Sequence, residues 1–144
     1  MAVSRAMRRQ LQVLEIQEEA CRATLESARA EFRRLEQALT WNVERERGGR
    51  RLVAASAVTG EVTDRIAGIE ETRTARRIAA ALAPRIAEAE LAVHSRQREF
   101  LGKRVERRQT ETLIEEAETL DKTEAGRRAQ RDLDDWFLGR RNTP

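Results

Sequence analysis

The sequence predicts an all-α fold, a long two-helix antiparallel coiled-coil hairpin. Charged residues make up 37% of the chain and aromatic residues 3%, a composition typical of long helices and coiled coils. Apolar residues near the N-terminus recur at alternating steps of three and four residues, the heptad spacing of a helix that packs on another helix. A glycine-containing stretch near residue 60 then divides this helix from a second one. We expect residues 1–144 to form a single hairpin domain.

Helix one is predicted to span about residues 4–57. Neither glycine nor proline interrupts residues 1–47, and the Ser4 hydroxyl can accept a hydrogen bond from a free backbone N–H of the first turn. Glu18 is the one charged residue at an interior position of the apolar stripe. The stripe consists of Met7, Leu11, Leu14, Cys21, Leu25, Ala28, Phe32, Leu35 and Leu39.

The chain reversal is predicted within residues 48–61. The pair Gly48-Gly49 would cost a helix interior about 2 kcal/mol relative to two alanines. The stretch VTGEVTD around Gly60 adds threonines and an aspartate, which compete for the backbone groups of a helix. Gly60 is therefore the favoured position of the turn. Gly48-Gly49 remains an alternative, and so does Pro84, because a helix interior tolerates proline poorly.

Helix two is predicted to span about residues 62–139. After Val62 the apolar pattern resumes at Ile66 and Ile69 and slips in phase near Arg73–Arg77, which would locally unwind a supercoil. It continues through Ile78, Leu82, Ile86, Ala89, Val93 and Phe100, and then more thinly through Val105, Leu113, Ala117, Leu120, Ala125 and Leu133. With the turn near residue 60, the last part of helix two would have no antiparallel partner. The predicted coiled-coil seam consists of Leu11, Leu14, Leu25, Phe32, Leu35, Leu39, Leu82, Ile86, Val93 and Phe100.

The residues that usually carry catalysis are sparse, so we expect no enzyme activity, no cofactor and no metal site. His94 is the sole histidine, which excludes metal sites built on several imidazoles, and we interpret it as a polar-face or seam-edge residue. Cys21 is the sole cysteine and falls in the apolar stripe, which favours a small buried apolar side chain over a nucleophile. The sequence also lacks the glycine-rich phosphate-binding loops and the nucleophile elbow of known enzyme classes.

The sequence favours a cytoplasmic protein without direct membrane insertion. No apolar run approaches the roughly 18–20 residues that a membrane span needs, and the first ten residues lack the apolar core of a secretory signal. One cysteine cannot form an intrachain disulfide, which fits a reducing compartment.

Arginine pairs along the chain raise a nucleic-acid-associated helical protein as an alternative function. Acidic residues stand within one or two turns of each pair, so no continuous cationic stripe forms for phosphate contacts, and we expect no nucleic-acid partner. A purely structural homo-oligomer, in which two hairpins form a four-helix bundle through Phe32, Leu35 and Phe100, is a further alternative. The arginine pairs are Arg8-Arg9, Arg33-Arg34, Arg50-Arg51, Arg76-Arg77, Arg107-Arg108 and Arg127-Arg128.

The end of the chain concentrates two of the five aromatic residues. Leu133, Trp136 and Phe137 stand at positions i, i+3 and i+4, so they share one helical face. If helix one has already ended there, this face is exposed and is a candidate partner-binding site. In the alternative interpretation, Trp136 and Phe137 pack back on Val3 and Met7 and close the open end of the hairpin. Both can hold together.

The chain resembles a known family in its architecture and in its last 35 or so residues. The segment RRQTETLIEEAETLDKTEAGRRAQRDLDDWFLGRR is similar to the charged terminal helix of the small stalk proteins of the flagellar and virulence type III export ATPase. Those proteins share the uninterrupted heptad helix and the glycine-containing reversal, and the virulence branch fits this ending better. The residues at the positions of the family's terminal pattern are Gln130, Leu133, Asp134, Asp135, Trp136, Phe137, Arg140 and Arg141.

This resemblance implies a non-catalytic coiled-coil stalk similar to the central shaft of rotary ATPases. By similarity, the end with both termini would bind the hexameric export ATPase, and the hairpin tip would point toward the membrane protein of the export gate. The stalk would also meet secretion chaperones, and its location would be cytoplasmic and peripheral to the inner-membrane export apparatus. Hydrolysis would belong to the ATPase.

Overall fold

The computed structural model describes residues 3–142 and shows an all-α helical hairpin, which confirms the predicted fold class. Helix α1 spans Arg5–Thr59 and helix α2 spans Val62–Arg141. The two helices pack against each other, and residues 3–142 contain no β-strand. Neither helix, over this range, has a stretch that is long and apolar enough to cross a membrane.

Helix α1 begins with the predicted cap. The backbone N–H of Met7 donates a hydrogen bond to the Ser4 hydroxyl over 3.1 Å, and the Ser4 carbonyl accepts the backbone N–H groups of Met7 and Arg8 at 3.0 and 3.3 Å. These bonds satisfy first-turn donors that lack a partner within the helix.

The chain reverses at Gly60. Its backbone φ is +76°, in the left-handed region that residues other than glycine adopt only at a cost. Its N–H donates to the Ser56 carbonyl at 2.8 Å, which ends α1 with a left-handed cap. Gly48-Gly49 lies inside α1 and Pro84 lies inside α2, so neither alternative position carries the turn.

The chain divides into two compact units, residues 1–20 with 101–144 and residues 21–100. In the first unit, Leu14 and Ile114 are the buried apolar side chains among the residues described. Leu11 is half-buried. Among the apolar residues that the sequence pattern traces along this part of α2, Val105, Leu113 and Leu120 are exposed. Ile114 takes the interior position instead.

In the second unit, residues 21–100, leucines fill the part of the core farther from the turn. Leu25, Leu35 and Leu82 are buried. The other predicted seam residues of this unit are half-buried, namely Phe32, Leu39, Ile86, Val93 and Phe100. This is the pattern of a two-helix seam, whose edges stay open to solvent.

Closer to the turn, the same unit packs through very small residues. A Cβ atom placed on Gly49 would lie 2.8 Å from the Gly68 carbonyl oxygen, and one on Gly68 would lie 2.6 Å from the Gly49 carbonyl oxygen. Two further small residues of this unit, Ser56 on α1 and Ala75 on α2, are also buried. The two backbones therefore approach too closely at Gly49 and Gly68 for larger side chains to fit between them.

The predictions for Ile66 and Ile69 were wrong, since both side chains are exposed. Gly68, Ala75 and Leu82 are the buried residues of this part of α2, and they are spaced seven residues apart. The heptad therefore runs through Arg73–Arg77 without the predicted slip in phase. The helices approach each other so closely here that glycine and alanine, not isoleucine, occupy the seam. For this reason the pattern of large apolar residues does not predict the seam in this part of α2.

A polar side chain also lies in the seam of the second unit. Asn42 is 5% exposed, and its Nδ2 donates to the Ala38 carbonyl at 2.8 Å. Its Oδ1 accepts no hydrogen bond from the residues described. An asparagine at such a position destabilises the seam but favours one register of pairing over others.

Candidate protein-binding surface

The end of α2 forms an exposed helical segment. Every residue of 122–142 is exposed, and we call this stretch the C-terminal segment. An ion pair between Arg8 and Glu118, with 3.8 Å between Arg8 Nη2 and Glu118 Oε1, marks the contact with the start of α1 just before the segment begins. Helix α2 has 80 residues and α1 has 55, so the extra length of α2 supplies this segment.

Large apolar side chains cluster near the end of the segment. Trp136 is 53% and Phe137 61% exposed, and Leu133 and Leu138 are exposed as well. The two rings meet edge to face, with centroids 5.2 Å apart and planes at 77°, an arrangement that aromatic quadrupoles favour. Packing against Val3 and Met7, the alternative raised by the sequence, would have covered more of these rings.

Charged groups order this cluster. The Arg140 guanidinium carbon lies 4.6 Å from the centroid of the Trp136 ring, within the range of a cation–π interaction. Gln130 Nε2 donates to Asp134 Oδ1 at 3.0 Å, one helical turn away. The Trp136 ring therefore contacts both the Phe137 ring and the Arg140 guanidinium.

The structure brings only some of the predicted partner-binding residues together on one concave surface. Asp134, Phe137, Arg140 and Arg141 line it together with Leu138. Leu133, Asp135 and Trp136 do not line it. The sequence reasoning missed Leu138, although residues 134, 137, 138 and 141 have the i, i+3, i+4, i+7 spacing of a single helical face.

Glu18, the charged interruption of the N-terminal stripe, is paired inside the first unit. Arg107 donates through Nε to a Glu18 carboxylate oxygen and through Nη1 to Glu111 Oε1, the latter over 2.7 Å. The hydrogen bond with Glu18 is the main reason why the pKa of Arg107 is raised, and the bond with Glu111 contributes next. The interior charge is therefore compensated by a specific cation on α2.

Ion pairs also cross between the helices in the second unit. Arg45 Nε donates to Glu71 Oε1 at 2.7 Å, and Arg76 Nε donates to Glu46 Oε1 at 2.8 Å. The hydrogen bond from Arg76 lowers the pKa of Glu46, and that from Arg45 lowers the pKa of Glu71. These pairs occupy arginines that a continuous phosphate-binding track would need to present.

The remaining candidates for chemistry are the one cysteine and the one histidine of the sequence. Cys21 is half-buried and His94 is exposed. Among residues 3–142, no group of three or more histidine, cysteine, aspartate or glutamate side chains is placed to hold a metal ion. The absence of enzyme activity stays a prediction.

Comparisons with protein-family models, with curated proteins and with solved structures found no match to this chain. The fold and the surface define the class of protein instead: a helical hairpin whose second helix ends in an exposed, ring-bearing segment.

Proposed function

We propose that this protein is a non-catalytic coiled-coil stalk or adaptor of a bacterial type III secretion export ATPase, and that the C-terminal segment binds the ATPase. One observation carries the proposal. The chain places two of its five aromatic residues, Trp136 and Phe137, on the exposed segment. Exposed apolar clusters mark interaction sites in monomeric proteins, and tryptophan is enriched among the residues that dominate binding energy.

The geometry suits a binding anchor because little order has to be gained on binding. The segment is already helical, and the contacts of Trp136 with Phe137 and Arg140 restrict its side chain. Preorganisation of this kind lowers the entropic cost of association. Fully burying a large apolar side chain contributes about 1.5–3 kcal/mol, so the two rings together account for roughly a hundredfold or more in affinity.

The identity of the partner rests on the family resemblance of the terminal segment. The same resemblance extends the proposal to the export gate as the partner of the hairpin tip, to secretion chaperones as transient partners, and to a location at the periphery of the export apparatus. A helical hairpin held by paired charges between its helices is suited to transmit position, which is what a stalk does. In this proposal the ATPase performs the hydrolysis and this chain couples it to export.

The proposal is tested by binding to the purified cognate ATPase in a titration. Trp136→Ala combined with Phe137→Ala is expected to weaken binding by about a hundredfold. Trp41→Ala is the matched control, because Trp41 is also highly exposed but belongs to the second unit. Helix content measured by circular dichroism should be equal in all variants. Unchanged binding of the double variant, or an equal loss with Trp41→Ala, would refute the role of the C-terminal segment.

A further inference from the structure

The first turns of α1 carry a second apolar stripe that does not face α2. Ala6, Val13, Ile16 and Ala20 are exposed, with Ile16 70% and Val13 51% accessible. With Arg9 between Ala6 and Val13, these positions follow steps of three, four, three and four residues. This is the spacing of a coiled-coil seam.

The second stripe is displaced by one residue from the seam that contacts α2. The α2-facing positions include Met7 and Leu14, which are half-buried and buried, whereas Ala6 and Val13 precede them by one residue each. One residue corresponds to about 100° around a helix. A helix with two such stripes packs against two neighbours, and α2 provides one of them.

Charged residues along the edge of the second stripe indicate what the other neighbour is. Arg5, Gln12 and Glu19 are spaced by seven residues, so they line one side of the stripe. Within residues 3–142, neither Arg5 nor Glu19 forms an ion pair. The edge therefore has a basic residue at one end, a neutral amide in the middle and an acidic residue at the other end. Two such edges are complementary in charge when they run in opposite directions.

We propose that this face binds the same face of a second copy of the chain in an antiparallel, two-fold symmetric contact. Val13 then packs on Val13 of the other copy, Ala6 lies opposite Ala20, and each Arg5 faces a Glu19. In a parallel arrangement this edge would face the opposite edge of the partner, which carries Gln10 and Gln17, so neither charge would gain an ion pair.

Arg9 is the one charged side chain within the stripe, and the antiparallel register accommodates it. Arg9 falls opposite Ile16 of the second copy, where its hydrocarbon stem covers the isoleucine while the guanidinium stays in solvent. A symmetric contact of this type is isologous and therefore closes at two copies. Since it covers only about four helical turns on each copy, dimerisation should depend on concentration.

The experiment measures the molar mass of the full chain by sedimentation equilibrium over a wide range of concentrations. The wild type is expected to shift from monomer to dimer, and Ile16→Glu to remain monomeric where the wild type is dimeric. Leu91→Glu is the control, since Leu91 is 69% exposed and lies outside the stripe. A wild type that stays monomeric throughout, or a control that dissociates as Ile16→Glu does, overturns the proposal.

A charge exchange tests the antiparallel register. Arg5→Glu alone and Glu19→Arg alone each create two like-charge pairs across the symmetric contact, and each should weaken dimerisation by about threefold to tenfold. The combined variant re-forms both pairs in reversed order and should restore the wild-type value at low salt. Failure of the combined variant to recover overturns the register. This result is independent of ATPase binding, which is assigned to the C-terminal segment.

Discussion

Replacing Gly49 by alanine tests whether the helix contact near the turn is set by backbone packing. An alanine in a helix interior is favoured over glycine by about 1 kcal/mol, so the substitution should stabilise α1 if space were free. The added Cβ atom, however, would lie 2.6 Å from Thr72 Oγ1 and 2.8 Å from the Gly68 carbonyl oxygen. Thr72 cannot easily turn away, since its hydroxyl donates to the Gly68 carbonyl at 2.8 Å.

The neighbouring residue supplies the control that separates the two effects. A Cβ on Gly48 meets nothing closer than Arg51 Nη2 at 3.9 Å, so Gly48→Ala should gain the helix-propensity term of about 1 kcal/mol without a clash. Gly49→Ala gains the same term but also incurs overpacking, which typically costs about 1–3 kcal/mol. The difference between the two variants isolates the packing cost, and we expect it to be about 1–3 kcal/mol.

The assay is urea unfolding monitored by circular dichroism, with the free energy of unfolding taken from the midpoint and the slope. We expect Gly48→Ala to raise the free energy of unfolding and Gly49→Ala to leave it unchanged or lower it. Gly68→Ala should behave like Gly49→Ala, because its Cβ would lie 2.6 Å from the Gly49 carbonyl oxygen. Equal stabilisation by Gly48→Ala and Gly49→Ala would refute the close approach of the two backbones.

Three further predictions follow from single features of the hairpin. Gly60→Ala should lower the free energy of unfolding by about 1–2 kcal/mol in the same assay, because Gly60 has a φ of +76°, which alanine adopts only at a cost. A Cβ at this position meets no atom within 4 Å, so the loss would report this backbone cost and not a clash. Glu18→Ala should lower the thermal midpoint more than Glu15→Ala does, because Glu18 pairs with a cation on α2 and Glu15 is exposed; equal effects would contradict this. The lowered pKa values of Glu46 and Glu71 mean that their ion pairs stabilise the folded state above the unfolded glutamate pKa, about 4.3. That stabilisation is lost as the pH falls through the lowered pKa values that the two glutamates have in the folded state. The variant with Glu46→Gln and Glu71→Gln should therefore lose less stability between neutral and acidic pH than the wild type.

The sequence predicted the fold class because long-range packing in a hairpin repeats a local pattern. Leucines at heptad spacing, such as Leu14, Leu25 and Leu35, mark the seam wherever the helices are separated by large side chains. The turn was predictable for a related reason, since Gly60 combines a backbone requirement with flanking residues that disfavour helix.

Near the turn the seam could not be predicted from hydrophobicity. Gly49, Gly68 and Ala75 contribute little apolar surface, whereas the bulky Ile66 and Ile69 dominate the hydrophobic pattern although both are exposed. Two adjacent glycines favour a break in a helix, whereas Gly49 serves close packing within an unbroken helix. The sequence did contain a signal for this part of the seam, namely the seven-residue spacing of Gly68, Ala75 and Leu82.

The candidate surface was predictable in position but incomplete in composition. The spacing of Leu133, Trp136 and Phe137 identified one face of α2, and its exposure followed from the greater length of the second helix. The sequence prediction did not include Leu138, because it assumed one apolar face on this part of α2. Two adjacent faces carry large apolar side chains. The second stripe of α1 was missed for the same reason, since Val13 and Ile16 lie beside residues already assigned to the seam.

Register connects the interior of the hairpin to the proposed binding segment. A leucine seam alone discriminates poorly against a shift of α2 by seven residues, because each leucine then meets an equivalent position, and the short turn at Gly60 would be left to oppose it. Such a slide would remove Arg107 from Glu18 in the first unit and leave an interior carboxylate without its cation. In the second unit it would bring Ala75 in place of Gly68 against Gly49, where no Cβ fits. The contact of Glu18 with Arg107 lies in the same unit as the C-terminal segment, so it favours the register in which α1 last contacts α2 near Glu118, just before that segment begins.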